Sequence, residues 1–175
     1  SYAFSGCSKL KEITLSNVKS INSYAFSGTS SLGVVTCDSL EELGTEVFAQ
    51  SGVSLFKAPN LTKTGNNIFV DCYDLASASM PKLTILEIGT FKNCTSLNVV
   101  ELDSLIEIKA NAFRNSSIDK FVGLNVEKVG NYAFADNPHL VACALMKTPS
   151  TGSYVFQNCT SLKIAILPAL KDINS

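Results

Sequence analysis

The chain has 175 residues, of which 46% are apolar and 17% are charged, and its formal net charge is −1. This length fits one domain with a sizeable buried core. The balanced charge, without runs of like charge, argues against binding to nucleic acid or to an anionic membrane surface. No apolar run approaches the roughly 18 residues of a membrane span, so we expect no direct membrane insertion in this segment.

A phenylalanine recurs every 21 or 22 residues along the whole chain. Eight of the ten phenylalanines belong to this series, which we call the ladder phenylalanines: Phe4, Phe26, Phe48, Phe69, Phe91, Phe113, Phe134 and Phe156. A period in the twenties is typical of a solenoid built from stacked repeats. We therefore divide the chain into eight repeats aligned on these residues.

The first element of each repeat is a turn around the ladder phenylalanine. The sequence Tyr-Ala-Phe predicts a helical turn whose aromatic ring fills the core. Two residues after the phenylalanine, seven of the eight repeats carry Gly, Asn or Asp, and the third repeat carries Gln50. Since Gly, Asn and Asp adopt the left-handed backbone most easily, we expect this position to close the turn in every repeat.

The second element is a strand with the pattern L-x-x-Φ-x-Φ, where Φ is apolar. Its alternation predicts a half-buried strand, with Leu97, Val100 and Leu102 as the inward residues of the fifth repeat. In three repeats a proline follows the last inward position and ends the strand: Pro59, Pro81 and Pro168.

The third element has apolar residues three apart, such as Leu105 and Ile108, and predicts a shorter extended segment on the opposite side. The third and sixth repeats are one residue shorter than the others, and both deletions fall in the turn before the strand. A surface turn tolerates such a change, whereas a strand would move its side chains to the wrong face.

The unit resembles the BspA-like leucine-rich repeat, whose consensus combines L-x-x-I-x-L-P with I-G-x-x-A-F-x-x-C. The matches include Ile-Leu-Pro at 166–168, Val-Gly-Asn-Tyr-Ala-Phe at 129–134 and four Phe-x-x-Cys stretches. The resemblance implies a mostly β, right-handed leucine-rich repeat superhelix of about eight coils of 21–22 residues. It also implies a cell-surface or secreted protein of bacteria or protists, often linked to adhesion.

Some residues depart from this pattern. Thr64, Thr148 and Thr151 replace aliphatic residues, and Gly123 replaces the last strand aliphatic, so we expect looser coils in repeats three, six and seven. Because each coil needs neighbours and neither terminal repeat resembles a cap, we expect residues 1–175 to be one solenoid within a longer array. We also expect Phe91→Ala to destabilise the fold far more than Phe56→Ala.

The cysteines occupy two kinds of position. Cys7, Cys72, Cys94 and Cys159 lie three residues after a ladder phenylalanine, and Cys37 and Cys143 replace inward strand residues. Small buried thiols explain both positions. Only Cys72 and Cys94 share a ladder position in adjacent coils, which leaves a disulfide open as the alternative. With no C-x-x-C and one histidine, the sequence predicts no metal site and no cofactor.

Four N-x-(S/T) sequons are candidate N-glycosylation sites: Asn60, Asn93, Asn115 and Asn158. Three of them occupy the turn-closing position, so the repeat structure alone also explains them. His139 follows Pro138 in a loop without an accompanying nucleophile or acid. No phosphate-binding loop or catalytic motif is present, so the sequence predicts no enzyme.

The outward side of the strands is the candidate binding surface. Its second half collects Val99, Val122, Ala142, Ala144, Ile164 and Ile166 into a predicted apolar strip, accompanied by Lys120 and Glu101. Such a strip indicates either an interaction surface for a protein or cell-surface ligand or contact with further chain, although the β-propensity of Val and Ile explains it equally well. We predict a non-catalytic recognition module that binds through the strand face, with a structural spacer array as the alternative.

Overall fold

A computed structural model describes residues 1–172, which form a parallel-strand β-solenoid of about seven turns. This confirms the repeat solenoid expected from the ladder phenylalanines. No helix is present in residues 1–172, and so none that is long and apolar enough to cross a membrane. The expected helical turns are therefore wrong, for a reason that lies in the turn backbone described below.

The strands, numbered in chain order, lie on two faces of the solenoid. The strand face is built from the L-x-x-Φ-x-Φ segments: β2 (Val34–Thr36), β4 (Leu55–Lys57), β6 (Ser77–Ser79), β8 (Val99–Glu101), β10 (Lys120–Gly123), β12 (Ala142–Leu145) and β13 (Ile164–Ile166). The second face holds two-residue strands: β1 (Ser20–Ile21), β3 (Glu42–Leu43), β5 (Lys63–Thr64), β7 (Ile85–Leu86), β9 (Glu107–Ile108) and β11 (Lys128–Val129). Each strand is short because it covers only one side of its coil.

Each face is divided into two sheets. The strand face contains the sheets β2-β4-β6-β8 and β10-β12-β13, and the second face contains β1-β3-β5 and β7-β9-β11. The two interruptions therefore lie between β8 and β10 and between β5 and β7. Each of them borders one of the two short repeats.

Stacked aromatic rings run through the core from coil to coil. Neighbouring ladder phenylalanines have ring centroids 5.2–5.7 Å apart, from the Phe4–Phe26 pair to the Phe134–Phe156 pair. The six rings from Phe26 to Phe134 are buried. Since aromatic side chains bury the largest apolar areas, this stack is the main hydrophobic contact between coils.

The two phenylalanines outside the ladder also belong to the core. Phe56 is fully buried, with its ring centroid 5.5 Å from that of Phe48 and 4.9 Å from that of Phe69. Phe121 lies in the same way between Phe113 and Phe134. Both extra rings occur in the short repeats. The expectation that Phe56 matters far less than Phe91 is thus wrong, because both rings are completely buried.

The turn around each ladder phenylalanine has two left-handed residues. The residue two positions after the phenylalanine has positive φ in all eight repeats, from Gly6 at 73° to Asn158 at 57°, and Gln50 conforms at 57°. The residue two positions before it also has positive φ, including Tyr24 at 61° and Tyr132 at 56°. This second site prevents a helical turn and leaves alternate N–H groups to donate to the next coil.

In four of the eight repeats the side chain three residues after the ladder phenylalanine donates to the preceding coil: Cys72, Cys94, Asn137 and Cys159. The thiol of Cys72 donates to the carbonyl oxygen of Phe48 at 2.9 Å, and that of Cys94 to Phe69 at 3.1 Å. In the seventh repeat the amide of Asn137 occupies this position. The residue type thus follows from the need for a small side chain with a donor.

All six cysteines are free thiols, including the Cys72 and Cys94 pair. Burial is the main cause that raises the pKa of the Cys72 thiol to about 11 and that of Cys143 to about 12. Because these pKa values lie above the ordinary value, the thiols are neutral at physiological pH. Their contribution to stability is lost only as the pH rises above about 9 towards these values.

The threonines that replace aliphatic residues behave differently from one another. The hydroxyl of Thr64 is buried without a hydrogen-bond partner, next to the interruption between β5 and β7. The buried hydroxyl of Thr148 donates to the carbonyl oxygen of Val126 at 2.8 Å, and Thr151 bridges Val129. A backbone acceptor thus compensates for the lost aliphatic contact at Thr148 but not at Thr64.

We expect Phe91→Ala and Phe56→Ala each to lower the free energy of unfolding by about 3–5 kcal/mol, because each removes a fully buried ring. Tyr73→Ala, at an exposed aromatic side chain, is the control and should change it by less than about 1 kcal/mol. Urea denaturation measures all three. A Phe56→Ala variant as stable as Tyr73→Ala would contradict the placement of Phe56 in the core.

We expect iodoacetamide at pH 8 to modify Cys7, which is exposed, and to leave Cys72, Cys94 and Cys143 unmodified until the protein unfolds. Mass spectrometry of tryptic peptides before and after urea treatment measures this difference. Modification of Cys94 in the folded protein at the rate of Cys7 would show that its thiol is not held in the core.

Candidate functional site

The outward side chains of the strand face form two rows, as the repeat alignment predicts. In one row Val34, Leu55, Ser77 and Val99 are direct neighbours, and Lys120, Ala142 and Ile164 continue it on the second sheet. The other row has Thr36, Lys57, Ser79 and Glu101, followed by Val122, Ala144 and Ile166. Within each sheet every predicted neighbour pair is present.

Six of the predicted residues share the sheet β10-β12-β13, and we call them the C-terminal strip: Lys120, Val122, Ala142, Ala144, Ile164 and Ile166. Val122, Ile164 and Ile166 have exposed fractions of 65%, 53% and 47%. The two alanines between them are half-buried. The strip is an apolar surface with one cationic side chain at its edge.

Val99 and Glu101 lie apart from the C-terminal strip, at the edge of the other sheet. Their neighbours across the sheet are Ser77 and Ser79, and the hydroxyl of Ser79 donates to a carboxylate oxygen of Glu101. The predicted strip is therefore divided, because β8 and β10 are not paired. Sequence alignment could not detect this division, since it depends on how two coils approach each other.

A groove of about 520 Å³ occupies the interruption between β8 and β10. We call this cavity the inter-sheet groove, and its lining is mostly apolar. The lining residues are Val100, Leu102, Asp103, Leu105, Lys120, Phe121, Val122, Gly123 and Leu124. Val100 and Leu102 are half-exposed, whereas the matching residues Ala78 and Met80 one coil earlier are buried. The interruption thus exposes residues that belong to the core elsewhere.

The four sequon asparagines all use their amide groups within the fold. Asn93 donates to Asp71 at 2.8 Å, Asn115 to Asn93 at 3.0 Å and Asn158 to Asp136 at 2.7 Å, each one coil back. Asn60 donates to the carbonyl oxygen of Asp38 at 2.7 Å. The hydrogen bond from Asn158, followed by that from Arg114, holds the pKa of the Asp136 carboxyl below its usual range.

These hydrogen bonds of the asparagine side-chain amides bear on the glycosylation candidates. A glycan bonds to the same amide nitrogen that donates in these hydrogen bonds. The turn-closing asparagines have positive φ as well, so both their backbone and their side chain have a structural role. Glycosylation at Asn60, Asn93, Asn115 and Asn158 stays a prediction.

In the part of the chain that the structure describes, no group of three or more His, Cys, Asp or Glu residues could hold a metal ion. His139 is exposed in the turn before β12. The polar lining residues of the inter-sheet groove are Asp103 and Lys120. The candidate functional surface is thus the C-terminal strip together with the adjacent groove, and its chemistry suits binding.

Comparison with known proteins gives one family. The model of the BspA type leucine rich repeat region matches residues 1–55, 37–141 and 62–175, with six copies. No curated protein matches the chain.

Two solved structures match along most of this chain, and the first of them shows the same fold. A leucine-rich repeat protein from Bacteroides ovatus is 21% identical with a TM-score of 0.65, and the match covers 99% of this chain and 56% of that one. A leucine rich cell surface protein from Faecalibacterium prausnitzii is 19% identical with a TM-score of 0.48, and the match covers 96% of this chain and 62% of that one. This chain therefore spans less than two thirds of either structure. Because the family model matches its repeats along the whole length, the chain belongs to the BspA-type leucine-rich repeat family.

Proposed function

We propose that this chain is a non-catalytic recognition module that binds a protein through its strand face. The observation that supports this proposal is the C-terminal strip, whose Val122, Ile164 and Ile166 expose apolar side chains on one continuous sheet. Contiguous exposed apolar patches mark interaction sites, whereas single exposed apolar residues scattered over a surface do not. Solenoids of stacked repeats also generally use their extended surfaces for binding.

The two halves of the strand face differ in composition. The sheet β2-β4-β6-β8 mixes exposed apolar residues such as Val34 and Val99 with polar ones such as Lys57 and Glu101, whereas the outward residues of the sheet β10-β12-β13 are the mostly apolar C-terminal strip. Lys120, the cationic member of the strip, would favour an acidic residue in the partner. A partner that contacts both halves would need an apolar surface opposite the strip and a mixed surface opposite the other sheet.

The second candidate is a structural spacer, in which the array holds other domains apart. The continuous ring stack and the parallel sheets favour it, since they suit a stiff rod as well as a binding surface. We place either version at the cell surface or in the secreted fraction, as the family resemblance implies, with cell-surface adhesion as the finer role of the recognition module.

Val122→Lys and Ile164→Lys test the recognition module. A panel of purified cell-surface proteins is screened for binding by surface plasmon resonance, and a partner found there is measured against both variants. Each lysine should raise the Kd at least about tenfold, because it places an unpaired charge in an apolar contact. Val34→Lys, at a 59% exposed strand-face residue in the other sheet, is the matched control and should leave the Kd unchanged.

Hydrogen–deuterium exchange of the same complex separates the two candidates. Protection of β10, β12 and β13 on binding supports recognition through the C-terminal strip. Unchanged exchange across the strand face, or a Kd that neither lysine alters, would contradict it and leave the spacer.

A further inference from the structure

The coils on either side of the inter-sheet groove separate on the strand face alone. On the turn side the N–H of Phe91 donates to the carbonyl oxygen of Ala112 at 2.8 Å. On the second face the N–H of Gly130 donates to the carbonyl oxygen of Ile108 at 2.8 Å. Between β8 and β10, by contrast, no strand pairing exists in residues 1–172. The groove is thus a local opening within an otherwise continuous stack.

The backbone on both walls of the groove points into it. The N–H of Val99 donates to the carbonyl oxygen of Ala76, and the carbonyl oxygen of Glu101 accepts from Met80. The backbone N–H and C=O groups of residues 99 and 101 therefore point towards β6. Because successive residues of a strand face opposite neighbours, the N–H and C=O groups of Val100 point towards β10. No strand pairs with them there.

The wall formed by β10 has the same property. The carbonyl oxygens of Asp119 and Gly123 accept from Ala142 and Met146, so these residues face β12. Lys120 and Val122 alternate with these residues along β10, so their backbone N–H and C=O groups point towards β8. Each wall therefore presents a row of backbone donors and acceptors at the spacing of an extended chain.

The side chains of the groove add apolar area below and beside these rows. Val100, Leu102 and Phe121 form its inner lining, while Val122 and Leu124 flank its mouth with exposed fractions of 65% and 63%. An occupant must satisfy two rows of backbone groups and cover apolar side chains at the same time. An extended polypeptide with apolar residues at alternate positions has both properties.

We propose that the inter-sheet groove binds an extended segment of a partner protein by β-strand addition. The main chain of the segment pairs with the free edges of β8 and β10, and its inward side chains fill the space beside Val100, Leu102 and Phe121. This inference deepens the proposed recognition function and rests on it. It assigns the groove as the specific site and an extended, alternately apolar segment as the ligand.

A synthetic peptide with the sequence of residues 97–103 tests the inference, since it carries the strand pattern of this solenoid. Labelled with fluorescein, it is titrated with the protein and followed by fluorescence anisotropy. We expect saturable binding that is weakened at least about tenfold by N-methylation at two adjacent residues, which removes backbone donors and keeps the side chains. Equal binding of the methylated and unmethylated peptides would overturn strand addition.

Val100→Pro removes an N–H that the fold does not use, and Ala78→Pro, the matched control, removes one that pairs with β8. Val100→Pro should abolish peptide binding and shift the Tm by less than about 3 °C, since proline is tolerated at a free strand edge. Ala78→Pro should lower the Tm by roughly 6–12 °C. A Tm of Val100→Pro as low as that of Ala78→Pro would show that the edge is paired and overturn the proposal.

Two further measurements separate this inference from the proposed function. Ile164→Lys lies away from the groove and should leave peptide binding unchanged. If the protein partner no longer binds Ile164→Lys but still binds Val100→Pro, the groove proposal fails while the recognition function stands. Sedimentation velocity tests whether a second copy of this chain occupies the groove. A dimer that the peptide dissociates would mean that a second copy fills the groove, which also overturns the assignment to a different protein.

Discussion

The stack of ladder phenylalanines is the contact on which the other features of this solenoid depend. A coil whose strands are two to four residues long cannot bury its own apolar side, so it is stable only against its neighbours. The rings provide that contact at a spacing of 5.2–5.7 Å through the whole chain. Where a repeat is one residue shorter, an additional ring, Phe56 or Phe121, packs between two ladder rings.

The same stacking explains residues that resemble chemical motifs. Cys72 and Cys94 donate to carbonyl oxygens one coil back, and Asn93 and Asn158 donate to carboxylates one coil back. Buried polar groups need hydrogen-bond partners, so small side chains that can donate suit this repeated position. The geometry of the repeat therefore gives Cys72, Cys94 and the turn-closing asparagines a structural role, and glycosylation of the sequons stays a prediction.

The candidate functional surface lies where the regular stacking of the repeats is interrupted. The opening between β8 and β10 lies beside the C-terminal strip, so exposed backbone edges and exposed apolar side chains occur together on the strand face. The other interruption, between β5 and β7, lies next to the unpaired hydroxyl of Thr64, with the exposed side chains of Ile85 and Ile88 in and just after β7. The opening between β8 and β10 combines unpaired strand edges with a mostly apolar groove of about 520 Å³.

The sequence alone determined the period, the strand positions, the ladder rings and the turn-closing residues, because each repeats at one fixed position and reports local chemistry. It also located both outward rows, whose neighbours follow from the alignment. It did not reveal the left-handed residue two positions before each phenylalanine, since five of the eight repeats carry Tyr or Glu there and only three carry Asn or Gly, the usual indicators of that backbone. Only the tertiary structure decided that Phe56 is core and that β8 and β10 separate, because both depend on how neighbouring coils fit together rather than on any one repeat.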